Sequence, residues 1–512
     1  MALSYSPHPG SGGQHPVGLD DVWTAPITFR RIRIVTREDI EATYPLITTY
    51  VENPSLALSV NEISLDPVTW MAIMSHMQGK ELSEPARPVR HNAHAAVEAY
   101  ARNIGLSVAT TEKMTIALRW KMAHLMAYKP PCPDGFSAHN SNYAHTAATI
   151  LLSLCKNVEI LNVGDLTIST SRSLDIPHSL DWNLPLENYL LFNNYGKLAS
   201  PGLQKLKHLR FLCGKPLWYD GCYIELDFLV WMRCFHRLPA LESVEMDAVM
   251  DYQRVTRNLF PPITGSFKSL HVTHADMGAS MLGIMMRIPR TLEEFVLSVG
   301  GLRHPDLGGP SSMRFKTLGK CLFEHRNTLR VLDLDIDRQC GTQRPEDDDQ
   351  SGDAYAEEEC YKDEFFHIDK AENTRPMWPE QLEDSRPFGF GIGPLDQFTA
   401  LTHLSIGLDA LLGWSPQHKT TRGGDFVAPF RLVEGLPSSV ESLRIYGYTR
   451  GESTTLDDHL DELTAKMHQR LPNLKHVEGL EERIEVMKDR SSEAEEEDLW
   501  ERPDVDIDWV RA

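Results

Sequence analysis

One apolar spacing recurs along nearly the whole chain and constrains its fold more than any other feature. The spacing is Leu-x-x-Leu-x-x-Leu-x-Leu, with related apolar residues allowed, and it occurs at residues 238–246, 398–406 and, with a looser start, 436–445. The period of two that ends each copy indicates a strand with alternate side chains in a core. Apolar stripes with a period near 3.6, typical of helices, precede several copies. Neither element buries its apolar face alone, so the copies must stack on one another.

The pattern therefore predicts an α/β fold, an irregular leucine-rich-repeat solenoid with parallel strands on a concave face and helices outside. The units recur at intervals of about 25 to 50 residues, wider than the 20–29 of regular leucine-rich repeats. The Asn that usually follows such a strand is replaced by Val249, Asp337 and Asp409. We therefore expect uneven curvature and insertions between repeats.

Composition and pattern divide the chain into five segments. Residues 1–24 are rich in Gly, Pro, Ser and His and are predicted to be a disordered arm. Residues 25–480 are predicted to be the solenoid, with a helical insertion at 67–142 and an acidic disordered insertion at 338–395. Residues 481–512 are predicted to be an acidic tail.

The net charge of −21 is concentrated in two stretches. Residues 344–386 hold fifteen acidic and five basic side chains, and residues 481–512 hold thirteen and five. The rest of the chain is close to neutral and shows no basic stripe, which argues against nucleic-acid binding through phosphate contacts. The acidic stretches are interpreted as solvated segments, with a basic partner as the alternative.

Cysteine usage and hydropathy point to an intracellular protein. The eight cysteines form no C-x-x-C pair, which fits a reducing compartment. Residues 1–20 lack the basic start and apolar run of a signal peptide. The longest apolar stretches are about half of a membrane span. These features predict a cytoplasmic or nuclear location without membrane attachment.

No motif in the sequence predicts chemistry. His91 and His94 could form half of a metal site, but no further ligand lies at a suitable spacing. Cys213, Cys222 and Cys234 are too widely spaced for a structural zinc site, although His236 follows Cys234 closely. Nucleophile-elbow, Walker and His-Glu-x-x-His motifs are absent. We therefore predict a protein without catalytic activity, cofactor or metal, while a triad assembled from distant residues stays open.

The strand assignments place several polar residues beside the core leucines, on the face that would carry a partner. The candidates on the strands are Glu245, Asp247, Asp333, Asp335, Arg444 and Tyr446. Trp218 and Tyr219, near Pro216 and Gly221, are predicted to lie in a loop and are further contact candidates. The acidic middle of this face favours a partner with a basic patch, and solvated strand ends are the alternative interpretation.

Two segments resemble a known family. Residues 29–34, Phe-Arg-Arg-Ile-Arg-Ile, and residues 44–65, which begin Tyr-Pro-Leu-Ile and end Asn-Glu-Ile-Ser-Leu, are similar to the first repeat unit of fungal F-box-type leucine-rich-repeat proteins. The irregular repeats from 143 to 480 are similar to theirs as well. The F-box itself is not detectable: residues 1–26 are too short and too polar for one, and Leu-Pro-Leu-Glu at 184–187 lies inside the repeats. The resemblance implies a repeat scaffold that binds a protein, with a ubiquitin-ligase adaptor as partner only if an F-box is supplied elsewhere.

Three functions follow as expectations. The first is a protein–protein interaction scaffold resembling the substrate-binding region of F-box-type receptors. The second is an acidic chaperone or regulator of basic proteins that acts through the two acidic segments. The third is a hydrolase whose Ser, His and carboxylate come together only in the fold.

Overall fold

The computed structural model describes twelve stretches of the chain. The described residues are 29–35, 37–65, 92–126, 138–164, 184–211, 224–225, 228–247, 249–250, 260–300, 313–337, 364–413 and 427–484. The predicted arm at 1–24, parts of the predicted helical insertion at 67–142 and most of the predicted acidic tail lie outside these residues.

The described chain divides into two compact units. The first holds the described residues up to 211 together with 238–240, and the second holds the others. Both are built from parallel strands and helices. Among the described residues, no helix is long and apolar enough to cross a membrane.

The first unit has a four-stranded parallel sheet, whose strands β1 to β4 are neighbours in the order of the chain. They are β1 (Arg31–Ile34), β2 (Glu62–Leu65), β3 (Ile160–Val163) and β4 (His208–Phe211). The helices are α1 (Arg37–Glu52), α2 (Pro54–Ala57), α3 (Asn92–Asn103), α4 (Val108–Met126), α5 (Ala138–Leu154) and α6 (Pro185–Asn194). One row of paired residues, Ile32, Ile63, Leu161 and Leu209, is fully or almost fully buried and forms the centre of the core.

The second unit has a seven-stranded parallel sheet, in which each strand again neighbours the next one along the chain. Its strands are β6 (Ser243–Asp247), β8 (Ser269–Ala275), β9 (Glu294–Val299), β10 (Val331–Asp335), β11 (His403–Gly407), β12 (Ser442–Tyr446) and β13 (His476–Glu478). A separate pair joins β5 (Ile224–Glu225) to β7 (Val249–Met250). Its helices are α7 (Phe228–Met232), α8 (Ala279–Arg287), α9 (Phe315–Glu324), α10 (Glu364–Ala371), α11 (Leu408–Leu412), α12 (Leu432–Gly435) and α13 (Thr454–Arg470).

The apolar spacing places one buried row across the second sheet. The row consists of Val244, Leu270, Phe295, Leu332, Leu404 and Leu443, which pair in register and are at most 2 % exposed. Because side chains alternate along a strand, the residues between them face the other side of the sheet. The predicted α/β class and parallel strands are thus confirmed.

In the second unit, residues just before neighbouring strands are joined by one repeated backbone hydrogen bond. The amide of Lys268 donates to the carbonyl of Glu242, that of Glu293 to Lys268, and that of Arg330 to Glu293. The ammonium of Lys268 also pairs with the carboxylate of Glu293 at 2.7 Å. These bonds extend each ladder before its first strand residue and fix the register of neighbouring strands.

Residues 364–395 differ from the prediction of a disordered acidic insertion at 338–395. They contain α10 and a short 3-10 turn at Pro379–Gln381, and they pack against the helices of the second unit. The physical reason is a set of buried apolar side chains within this acidic stretch, namely Phe365, Phe366, Phe388, Ile392 and Leu395. Residues 338–363 lie outside the described part of the chain.

Candidate protein-binding face

The side of the second sheet opposite its buried row carries mostly polar side chains, and we call it the polar face. Three rows make up this face, aligned by strand register except between Thr273 and Ser298, where the pairing of β8 with β9 has a register shift. The first row is Ser243, Ser269, Glu294, Val331, His403, Ser442 and His476. The second row is Glu245, His271, Val296, Asp333, Ser405, Arg444 and Glu478. The third row is Asp247, Thr273, Ser298, Asp335, Gly407 and Tyr446.

The polar face is acidic. Its three rows hold six carboxylates and one guanidinium, a net charge of −5 with the histidines neutral. Exposure increases toward the β13 edge: His403 on β11, Arg444 on β12, and His476 and Glu478 on β13 are all exposed. Most of the carboxylates lie on β6 to β10, where Glu245, Asp247, Glu294 and Asp333 are half-buried, and a cationic surface would find charge complementarity there.

Asp333 lies at the centre of this face, held by a residue two strands away. The hydroxyl of Tyr446 donates to Oδ1 of Asp333 at 2.8 Å and so spans from β12 to β10. Burial raises the pKa of Asp333, while the hydrogen bond from Tyr446 and the positive charge of Arg444 oppose the rise. Burial and the neighbouring Asp333 charge raise the pKa of Tyr446 to about 12, so its hydroxyl stays a donor at neutral pH.

Side-chain pairs across neighbouring strands order the rest of the face. Nε of Arg444 donates to Glu478 at 2.8 Å. Oδ1 of Asp247 lies 2.7 Å from both Oγ1 of Thr273 and Nδ1 of His274. Such cross-strand contacts restrict side-chain freedom before a partner binds, which lowers the entropic cost of binding.

Ser269, His271 and Glu294 are mutually bonded, the kind of grouping that the hydrolase hypothesis requires. However, Ser269 Oγ and Glu294 Oε1 approach the same ring nitrogen of His271, Nε2, at 3.1 and 3.2 Å. Ser269 Oγ also donates directly to Glu294 at 3.1 Å. In a Ser–His–acid relay the acid must bind the other ring nitrogen, to orient the base toward the serine. This trio therefore has the geometry of a surface hydrogen-bond network.

The C-terminal ends of β10 and β11 share a carboxylate pair. Asp337 accepts a hydrogen bond from the amide of Ala410 in the first turn of α11, at 3.0 Å. Its carboxylate occupies the place that a Cβ at Gly407 would take, with contacts near 2 Å for such an atom. Burial, followed by the charges of Asp337 and Glu452, raises the pKa of Asp409 to about 8.

The structure brings six of the eight sequence candidates onto the polar face. Glu245, Asp247, Asp333, Asp335, Arg444 and Tyr446 all belong to its second and third rows. Trp218 and Tyr219 lie outside the described residues. Sequence reasoning missed His271 and Glu478 on β8 and β13, although both follow the same apolar spacing.

One histidine from each possible metal grouping, His94 and His236, lies within the described residues and contacts other side chains. His94 bonds Tyr44 through Nδ1 at 2.6 Å and Glu98 through Nε2 at 3.0 Å. Burial by itself would raise the pKa of Glu98, but hydrogen bonds from Arg119 and Arg102 lower it overall. His236 lies with Nε2 3.2 Å from Asp369. His91, Cys213 and Cys222 fall outside the described stretches, and within those stretches no three His, Cys, Asp or Glu side chains are arranged to hold a metal ion.

Comparison of the chain with protein-family models, with curated proteins and with solved structures gave no match.

Proposed function

We propose that this chain is a non-enzymatic protein–protein interaction scaffold, and that the polar face binds a partner protein through a basic patch. The observation that carries the proposal is the net charge of −5 on a partly exposed sheet face. Charge complementarity of this kind speeds encounter and rejects partners of the wrong sign.

An irregular leucine-rich-repeat solenoid is the architecture that we propose for the chain. The support is that strands in each unit pair in chain order and in parallel, with helices in the connections. This arrangement suits units that bury their apolar faces on their neighbours. Together with the resemblance of residues 29–34 and 44–65, it favours a role like that of the substrate-binding repeats of F-box-type ubiquitin-ligase receptors. An adaptor of such a ligase would be a partner only through an F-box supplied elsewhere.

Charge reversal on the polar face tests this proposal. The tagged chain and its Asp333→Lys and Glu245→Lys variants would be purified from native cells, and the proteins that co-purify would be compared. Asp458→Lys, at an exposed position of α13 in the same unit, is the matched control because it makes the same charge change off the face. Circular dichroism would establish that each variant is folded.

The expected result is a set of proteins retained by the control and lost by both face variants. For a purified member of that set we expect at least about tenfold weaker binding to the Asp333 variant, the effect of placing a like charge against a basic patch. Retention of every co-purifying protein at unchanged affinity would refute the proposal.

A second candidate function is an acidic regulator of basic proteins, favoured by the concentration of charge at 344–386 and 481–512. Several acids of the first segment are already engaged within the second unit: Asp369 and Glu372 with Arg237, and Asp384 with Arg386. A chain ending at Ile484 separates the candidates. Loss of binding in that chain, with no effect of Asp333→Lys, would favour the acidic regulator.

A further inference from the structure

Residues 364–395 run across the helical side of the second unit, and we call them the strap. They contact the loop after α7, then α8 and α9, and end at α11 and α12 through backbone bonds from Ile392 to Ala410 and from Leu395 to Gly435. Helix α8 is buried almost all round, and its Ser280, Gly283 and Arg287 lie against the strap. A helix at the outside of a sheet would normally keep one polar face in water.

Charged groups anchor the strap at three places. At its start, Asp369 lies between Arg237, at 2.5 Å, and His236, while Arg237 also binds Glu372 at 2.8 Å. In the middle, the guanidinium of Arg287 donates to the strap carbonyls of Met377 and Pro376, at 3.1 and 2.6 Å.

Towards the end of the strap, Arg386 turns back onto α9. It donates to the carbonyl of Gly319 at 2.8 Å and its guanidinium lies 4.1 Å from the ring centre of Phe323. Charged anchors of these kinds can be hydrated when they separate, unlike a purely apolar seam.

Two glycines let the strap approach the helices closely. A Cβ at Gly319 would come within 2.0 Å of the carbonyl oxygen of Ile392. A Cβ at Gly283 would meet both Pro379 and Cys321 Sγ at 2.8 Å. The strap thus lies in a groove where the absence of side chains at Gly283 and Gly319 lets it approach the helix backbones. The fully buried thiol of Cys321 lies near Pro379 of the strap.

We propose that the groove over α8 and α9 is a peptide-binding groove whose occupant is this chain's own strap, and that the strap opens as a unit while the sheet stays folded. When the strap leaves, Arg237 and Arg287 stay with the folded unit, whereas Arg386 leaves with the strap. Opening of the strap does not involve the polar face.

Native-state labelling of Cys321 tests the proposal in the full chain. A thiol reagent would be added under native conditions, labelled cysteines identified by mass spectrometry, and backbone hydrogen exchange of β9 and β10 followed in the same sample. We expect Cys321 to react while the β9 and β10 amides stay protected, because opening requires only the strap to leave.

Gly319→Ala should accelerate Cys321 labelling by about tenfold, since its methyl group overlaps the strap carbonyl. Lys320→Ala, the next residue on the same helix, is the matched control and should not accelerate labelling, because the charge of Lys320 lowers the pKa of the Cys321 thiol. Labelling of Cys321 only at the rate at which the β9 and β10 amides exchange would overturn the proposal. A Gly319→Ala rate equal to that of the control would overturn it as well.

Discussion

The carboxyl group of Asp409 shows how one buried residue can make stability depend on pH. Its pKa is raised to about 8, from an ordinary value of 3.8, by burial and by the charges of Asp337 and Glu452. The folded chain therefore holds this proton more tightly than the unfolded chain does. The corresponding stability is complete below about pH 4 and is lost as the pH rises toward 8.

We expect Asp409→Asn to remove this loss, because the amide is neutral at every pH and can donate to Asp337. Chemical unfolding from pH 6 to 9 would measure the effect, with the exposed Asp458→Asn as the control for changing one carboxylate. The natural chain should lose stability relative to Asp409→Asn by on the order of 1 kcal/mol across this range. Parallel pH profiles for all three chains would contradict the expectation.

Single residues also show where sequence reasoning stops. The alternation around Leu332 and Leu443 predicts that Asp333 and Arg444 face away from the core, and they do. It does not predict that Tyr446 reaches Asp333, because that contact depends on the register of three neighbouring strands. Side-chain partners far apart in sequence are set by packing, which a local pattern does not contain.

Among the secondary-structure elements, too, some were predictable from the sequence and others were not. The strands of the two main sheets were predictable from alternating or Leu-x-x-Leu-type apolar spacings, from β1 at Arg31–Ile34 to β13 at His476–Glu478, whereas the short β5 and β7 were not predicted. The strap was not, because its buried Phe365, Phe366 and Phe388 lie within a strongly acidic stretch without any period. The acidic composition indicated disorder there. In the folded chain, ion pairs with Arg237 balance the negative charges of Asp369 and Glu372, which composition alone does not reveal.

Helix α13 has a side-chain cap at its start, which gives a prediction at the scale of one element. Ser453 accepts a hydrogen bond from the amide of Leu456 at 3.4 Å and is itself buried. Ser453→Ala should destabilise the helix start by about 1 kcal/mol, the usual effect of losing such a cap. Hydrogen exchange of the first-turn amides of α13 would detect it.

Ser453→Thr keeps an acceptor oxygen and serves as the comparison for the cap prediction. Its first-turn amides should stay close to natural protection. Equal exchange in the Ala and Thr variants would show that the hydroxyl does not cap α13.

Charge is the feature that matters at the scale of the whole molecule. Residues 344–386 and 481–512 together hold −18 of the net −21, in addition to the −5 of the polar face. A field of one sign attracts a basic partner before contact and is screened by salt over about 8 Å at physiological ionic strength. Association should therefore be more sensitive to salt than dissociation.

Removing residues 485–512 should slow association with a basic partner and leave dissociation nearly unchanged. This segment has eleven acidic and four basic residues, and its removal keeps the bridge between Tyr446 and Ile484 beside the polar face. Surface plasmon resonance at several salt concentrations, on a partner retained by Asp458→Lys, would measure both rates. A change confined to dissociation would mean that the tail touches the partner directly.

Position 407 should tolerate few residues other than glycine. The space beside its Cα is filled by the carboxylate of Asp337, which in turn holds the first turn of α11 through Ala410. A relative with a larger residue at 407 could not keep that carboxylate in place and would have to start α11 by another means. Positions 337 and 407, seventy residues apart in the chain, should therefore change together when relatives are aligned.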